Sequence, residues 1–341
     1  MRLFRSSSVL VIVFLCVEMT LASDAGGPLP DEQVQQVEDK VATELAECEF
    51  ISVGLVYEAN TILVGSYGDK ADVNAVVSYR GANPVTSTLC LQLLEQGVIA
   101  SLDDDIRQYS PKYANCLPEE FAETGLTFRH LLEHSSGLPR SHTDPQVPVW
   151  KNGKLNILTV PGATYAESEV GYGVLEDVLS DMTDNTFDAL LTEYIARPVG
   201  AVSFAALNPN DPNAAGIQCT IMDLTAFLAH FLNGGYISGE LIRTEAWEER
   251  LVDNKGLAWD IMKAPDSDFA TLAFTFGTRG QQQVYLVCQP CGRVGAVLVT
   301  QKRPQYCVTS PFQLLFDLHG IAAYRHQEDK GGPHEPQWEI P

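Results

Sequence analysis

The chain is 341 residues long, with 45% hydrophobic and 19% charged residues, which excludes collagen-like and wholly disordered readings. Asp and Glu number 44 against 22 Lys and Arg, and the formal charge of −22 repels phosphate backbones and anionic membrane surfaces. Nucleic acid is therefore not an expected partner, and the length suits two domains or one large one.

Residues 1–22 combine a basic start (Arg2, Arg5), an apolar run from Val9 to Val17 and small residues near Ala22-Ser23, the pattern of a secretory signal peptide. A mitochondrial presequence is the rival, because Arg2, Arg5 and Ser6–Ser8 suit one; the continuous apolar run argues against it. No later segment is apolar enough to span a bilayer. Residues 33–48 carry helical spacing through Val34, Val37, Val41 and Leu45. Ile51–Tyr57 and Thr61–Tyr67, separated by Glu58-Ala59-Asn60, predict a hairpin. Pro84–Gln96 is expected as a helix that is apolar on most of its surface, hence buried on several sides. Helices are predicted at Thr127–His134, Gly171–Met182, Phe187–Tyr194 and Thr220–Asn233, the last with Thr220 and Asp223 spaced as a capping box. Strands return at Leu272–Gly277, Gln283–Cys288 and Ala296–Thr300, then a helix from about Pro311 to Ala323. Residues 326–341 have little apolar pattern and read as a flexible tail. The expected fold is α/β in the α+β sense: an antiparallel sheet built from both chain ends and flanked by helices, with an all-helical region inserted.

Removing residues 1–22 deletes Cys16 and leaves seven cysteines, an odd count. In an oxidising compartment some should pair. Cys288 with Cys291 is a candidate local disulfide across a hairpin turn, and Cys48 with Cys307 a second candidate. No second Cys pair with metal-ligand spacing occurs, and neither a metal nor a cofactor is expected.

Five colinear blocks are more specific. They are Gln92–Asp105, Phe128-Arg-His-Leu-Leu-Glu-His-Ser-Ser-Gly-Leu-Pro139, Pro161-Gly162 with Gly171-Tyr-Gly-Val-Leu175, Gly216–Leu224, and Gly256-Leu-Ala-Trp259. Their order and spacing resemble the serine beta-lactamase/penicillin-binding protein family, in its class C and D-alanyl carboxypeptidase-like esterase branch. The resemblance covers roughly residues 35–323. It implies one domain over 23–325, with a sheet part at about 33–80 and 256–325, a helical part at about 84–250, and an active site between them. It also implies serine hydrolase chemistry resting on Ser-x-x-Lys, Tyr-x-Asn and a late Lys-Thr-Gly or His-x-Gly. In the first motif one helical turn sets a hydroxyl beside an amine that takes its proton.

Each of those positions is degenerate here. Aligned from the buried helix, the first window reads Arg80-Gly81-Ala82-Asn83, with Arg80 at the nucleophile and Asn83 at the base. A second register puts Asn83 at the nucleophile and Thr86 at the base. Neither restores the couple, since a guanidinium cannot attack a carbonyl and an amide cannot take a proton near neutrality. Three residues before every lysine of the chain there is no serine, so Ser-x-x-Lys is absent. The second window reads Glu167-Ser168-Glu169, and the third reads Thr278-Arg279-Gly280.

Other nucleophiles are less suited. Ser135 and Ser136 belong to a block that the family uses as a structural turn. Cys90 lies on the apolar helix, Cys219 precedes a helix start, and His130 with His134 lacks a His-Glu-x-x-His pattern. Arg80, Glu167, Glu169 and Arg279 would meet in the cleft if the fold holds. There they could plug it through an arginine–carboxylate pair, bind a ligand, or use paired carboxylates as acid and base. The expectation is a secreted pseudoenzyme that binds an unidentified protein or small molecule. The alternatives are a serine hydrolase with relocated residues, and a carboxylate- or redox-based activity.

Overall fold

The computed structural model describes residues 29–45, 48–79, 83–144, 146–207, 215–236, 256–263, 271–279, 282–289, 293–302 and 318. In chain order the elements are helix α1 (Asp31–Glu44), strands β1 (Cys48–Tyr57), β2 (Asn60–Gly68) and β3 (Val76–Tyr79), and helices α2 (Asn83–Glu95) and α3 (Phe128–Leu132). A short hairpin, β4 (Trp150–Lys151) and β5 (Lys154–Leu155), precedes α4 (Glu169–Thr183). Next come α5 (Phe187–Leu190), α6 (Arg197–Val199), β6 (Ala205–Ala206), β7 (Ile217–Thr220) and α7 (Ile221–Leu232). Strands β8 (Asp260–Lys263), β9 (Thr271–Arg279), β10 (Gln282–Gln289) and β11 (Val294–Lys302) follow.

Six strands form one antiparallel sheet in the order β2-β1-β11-β10-β9-β8, so the first two strands of the chain meet the last four. This is the end-built sheet that the strand–helix–strand pattern predicts. The β1–β2 turn has Glu58 and Ala59 at φ 46° and 62°, the left-handed pair that suits the twist of a two-residue hairpin. One sheet face buries Ile51, Val53, Leu55, Tyr285 and Leu298 against Val37 and Val41 of α1. The other buries Val56, Val297 and Val299 against α7 and the helical region. On this second face β1 carries small residues. A Cβ at Gly54 would lie 1.9 Å from Thr225 Oγ1 of α7, and one at Gly295 would lie 2.8 Å from Leu228 Cδ2. Glycine is what lets the helix sit that close to the sheet.

Several elements depart from the sequence reading: the inserted region, expected to be all-helical, also carries the short strands β4–β7, and β8 joins the sheet edge where no strand was expected. The first helix ends at Glu44, and Cys48 already pairs with Lys302 in the sheet, so pairing with β11 displaces the last helical turn. Strand β3 is a further strand that the sequence reading did not predict; it pairs with β7, Tyr79 opposite Ile217. Between α5 and α6, residues Leu191–Ala196 form a π-helical turn. Its carbonyls are met by side chains: Gln92 Nε2 donates to Tyr194 O (3.3 Å) and Tyr236 Oη donates to Ile195 O (2.7 Å). The expected helix at 311–323 and the tail at 326–341 lie outside the described residues apart from Leu318.

The candidate Cys288–Cys291 disulfide runs to a residue outside the described ones and is not shown. Cys288 is a free, fully buried thiol in register with Gly295, its side chain turned into the helix-side core rather than toward the turn. Burial pushes that thiol far above its ordinary range. Cys291 and Cys307 lie outside the described residues; Cys48 is buried at the head of β1. Among the described residues no disulfide forms.

Candidate functional site

The first motif window hangs between β3 and α2. Arg80, Gly81 and Ala82 lie outside the described residues, so the proposed meeting of Arg80 with the acidic window falls outside them too. Asn83 opens α2 with Pro84 directly after it, a residue suited to a first helical turn because its missing N–H would have no intrahelical acceptor there.

The Asn83 amide lies 3.1 Å from His134 Nε2. His134 Nδ1 in turn accepts the Ser168 backbone N–H at 3.1 Å. A nitrogen that accepts carries no proton, so the ring proton sits on Nε2 and is donated toward Asn83. The atom placed at that contact is Asn83 Nδ2, so the pattern calls for the opposite amide orientation, with the oxygen facing Nε2. The imidazole rests against Tyr172 (ring centroids 5.0 Å apart) and edge-on to Tyr165 (5.9 Å).

The backbone explains how His134 reaches this place. Helix α3 ends in a Schellman motif: Ser135 N–H donates to His130 O (2.9 Å) and His134 N–H to Leu131 O (3.3 Å). His134 occupies the left-handed position, at φ 56°, where glycine is the usual occupant. The side chain that this position tolerates at a cost is the one that bridges the first and second motif windows. Ser135 and Ser136 are fully buried turn residues: Ser135 O accepts from Gly162 N–H (2.8 Å) and Ser136 Oγ from Leu138 N–H (3.3 Å). His130 completes the capping box of α3 through Thr127. Burial holds its imidazole below the ordinary range.

The second window forms the N-terminus of α4. Ser168 is its N-cap, accepting from Gly171 N–H (2.9 Å) and donating to Pro139 O (2.7 Å). Glu167 faces a cation, but that cation is Arg140 at 3.2 Å, with both side chains half or more exposed. Glu169 is the first residue of α4 and lies 3.9 Å from His142 Nδ1. The Arg140–His142 segment thus lies along the acidic window, with Glu169 N–H also donating to Arg140 O (2.8 Å).

Of the third window, Thr278 and Arg279 lie in β9, opposite Gln283 and Gln282 of β10, and β9 runs beside β3. Gly280 lies outside the described residues. Among the described residues no cluster of three or more His, Cys, Asp or Glu side chains could hold a metal.

Thr86, the base position of the second register, is fully buried and donates to Glu176 Oε1 at 3.1 Å. Glu176 is absent from the motif reading, although its signal is legible: it sits four residues after Tyr172 and three before Leu179, a charge on an apolar helix face. Burial pushes its carboxyl up to about 8, opposed by the Thr86 hydroxyl and the nearby Gly216 N–H and reinforced by Glu169. Cys90 and Cys219 are free, fully buried thiols, each pushed up by burial.

The end-built sheet and the helical region beside it define a beta-lactamase-type fold. Residues 84–308 match the model of the Beta-lactamase family, and the chain belongs to that family. The matched region begins one residue after Asn83.

Among curated relatives, the chain is 29% identical over 134 residues to Beta-lactamase-like protein 4 of Dictyostelium discoideum, covering 34% of this chain and 24% of that protein. It is 24% identical over 220 residues to D-alanyl-D-alanine-carboxypeptidase/endopeptidase AmpH of Escherichia coli K12, covering 57% of this chain and 55% of that protein. The matches thus span about a quarter and about half of these relatives' lengths. Among solved structures, the beta-lactamase/D-alanine carboxypeptidase of Yersinia pestis superposes with a TM-score of 0.70 at 18% identity, over 86% of this chain and 97% of that one. The penicillin-binding protein homologue of Pyrococcus abyssi gives 0.68 at 15% identity, over 85% and 77%. Among the described residues no helix is long and apolar enough to cross a membrane.

Proposed function

We propose that this chain is a secreted pseudoenzyme of the beta-lactamase family that has lost Ser-x-x-Lys acyl transfer and acts by binding a protein or small-molecule ligand. The observation that carries the reading is the absence of any Ser-x-x-Lys from the sequence. The local geometry supports it. Where a hydroxyl–amine couple would stand, Asn83 is engaged by an imidazole whose other nitrogen is already satisfied by Ser168 N–H. An amide has no attacking oxygen lone pair basic enough for acylation, and an imidazole with both nitrogens committed has no free base to offer. The basic, apolar start of the chain supports export, with mitochondrial import as the rival destination.

The similarity to AmpH favours a second reading, a serine hydrolase with displaced residues. One experiment separates the two. Full-length secreted protein is incubated with nitrocefin, p-nitrophenyl esters and a fluorescent penicillin, then with a fluorophosphonate probe. The pseudoenzyme reading expects no turnover and no covalent adduct. A labelled serine, or hydrolysis that survives Arg80→Ala, would establish the hydrolase reading instead.

A further inference from the structure

Two turns beyond the rim carboxylates, α4 carries a third one inward. Glu176 is 8% exposed, and its partners come from two other segments. Thr86 Oγ1 of α2 donates to its carboxyl at 3.1 Å, and the backbone N–H of Gly216, the residue before β7, faces it. The titratable groups that face it are Glu169 and Tyr172, both of α4. From α2 the facing group is the neutral hydroxyl of Thr86, and from the β7 side a backbone N–H. Among the described residues no cation faces it.

The two protonation states of such a carboxyl are not equivalent. As a neutral acid it fits an apolar seam and keeps the Thr86 hydrogen bond. As an anion it brings a charge into that seam, and two neutral dipoles offset only part of the desolvation, while Glu169 repels it. The segments it joins are also those that place the first motif window. Helix α2 begins with Asn83, and β7 pairs with β3, the strand that leads to Arg80.

We propose that Glu176 is a proton-operated clamp between α2 and α4: with its proton on, the carboxyl ties α2 to α4 beside the start of β7, and when the proton passes to solvent the tie loosens and α2 and the neighbouring β7 open more often. The proposal holds whether or not the cleft turns over a substrate.

The direction with pH follows from the environment. Burial raises this carboxyl from an ordinary 4.5 to about 8 in the closed form, so the closed form binds the proton more tightly than an open, hydrated one. The clamp is complete below about 4.5, weakens as pH rises toward about 8, and changes no further above that. Within the window the open fraction grows by up to about tenfold per pH unit.

Native-state hydrogen exchange of the full chain tests this, read at the amides of Val85–Leu91 and Ile217–Thr220 and corrected for the intrinsic pH dependence of exchange. The expected result is an opening equilibrium that climbs toward about pH 8 and then levels, and a flat profile in Glu176→Gln. A flat wild-type profile, or an unchanged slope in the Gln variant, would overturn the proposal. Infrared difference spectra of the wild type provide a readout that needs no variant. A buried protonated carboxyl band present at about pH 6 should vanish through about pH 8. Its absence at the lower pH would also overturn the clamp.

Discussion

The contact of α7 with the sheet and the exposed rim at the N-terminus of α4 are held in opposite ways. Under α7, Gly54 leaves no room: a Cβ there would lie 1.9 Å from Thr225 Oγ1, and Thr225 is itself fully buried and tied to Ile221 O at 2.7 Å. At the rim, Glu167 and Arg140 meet at 3.2 Å with side chains 50% and 81% exposed, so water can replace either partner. The first contact depends on shape and tolerates no added atom. The second depends on charge in a high dielectric and contributes little to the fold. Residues held in the second way can change while the scaffold persists, and that is why a beta-lactamase fold is no warrant for beta-lactamase chemistry.

The sharpest way to break this contrast is to add volume under α7. Gly54→Val should lose about 3 kcal/mol or more in urea unfolding, because Thr225 is short, branched and unable to swing aside. Gly54→Ala should lose less. Combining it with Thr225→Ala, which removes the obstructing Oγ1 and Cγ2, should recover a large part of that loss. Purely additive losses would show that the contact is not the cause.

An intermediate effect is expected at His134, which belongs to both worlds. It lines the motif windows, yet it is 8% exposed and satisfies a buried backbone N–H. His134→Ala should cost about 1–3 kcal/mol by leaving Ser168 N–H and Asn83 without their shared partner. His134→Gly loses the same bonds but relieves the left-handed backbone at φ 56°, so it should unfold at higher urea than the Ala variant, by roughly 1 kcal/mol. Equal midpoints would mean that the position carries no strain.

The contrast also explains what was legible in the sequence. The tight parts were, because they rest on local periodicity. The β1–β2 hairpin, α4, and α7 with its Thr220 cap (accepting from Asp223 N–H at 3.2 Å) follow from apolar spacing and capping residues a few positions apart. Strand β3 was passed over: Val76-Val77-Ser78-Tyr79 favours a strand, but the run is only four residues long and its partner, Ile217–Thr220, lies far along the chain. The candidate site divides similarly. The Glu167–Glu169 window could be placed by its spacing from Pro161-Gly162 and Gly171-Tyr172. Its partners Arg140 and His142 could not, because nothing local marks a loop residue that folds back onto a helix start. The Asn83–His134 contact joins residues 51 apart and is equally invisible. Glu176 was visible as a misplaced charge on an apolar face, but its partners Thr86 and Gly216 came only with the tertiary structure.

The smallest effect is predicted at the rim itself. Arg140→Ala removes the cation facing Glu167, and both side chains already stand largely in water. The change should move stability by no more than about 0.5 kcal/mol, and the difference should shrink further as salt rises and the Debye length falls. Glu167→Gln should behave alike, and the double variant should show almost no coupling. If either single change cost more than about 1.5 kcal/mol, the rim would be part of the framework. The acidic window would then be a structural replacement for the family's Tyr-x-Asn rather than a set of positions released from it. A near-neutral result leaves Glu167 free to serve a ligand, since a carboxylate so weakly committed to its own chain can exchange Arg140 for an outside cation at little expense to the fold.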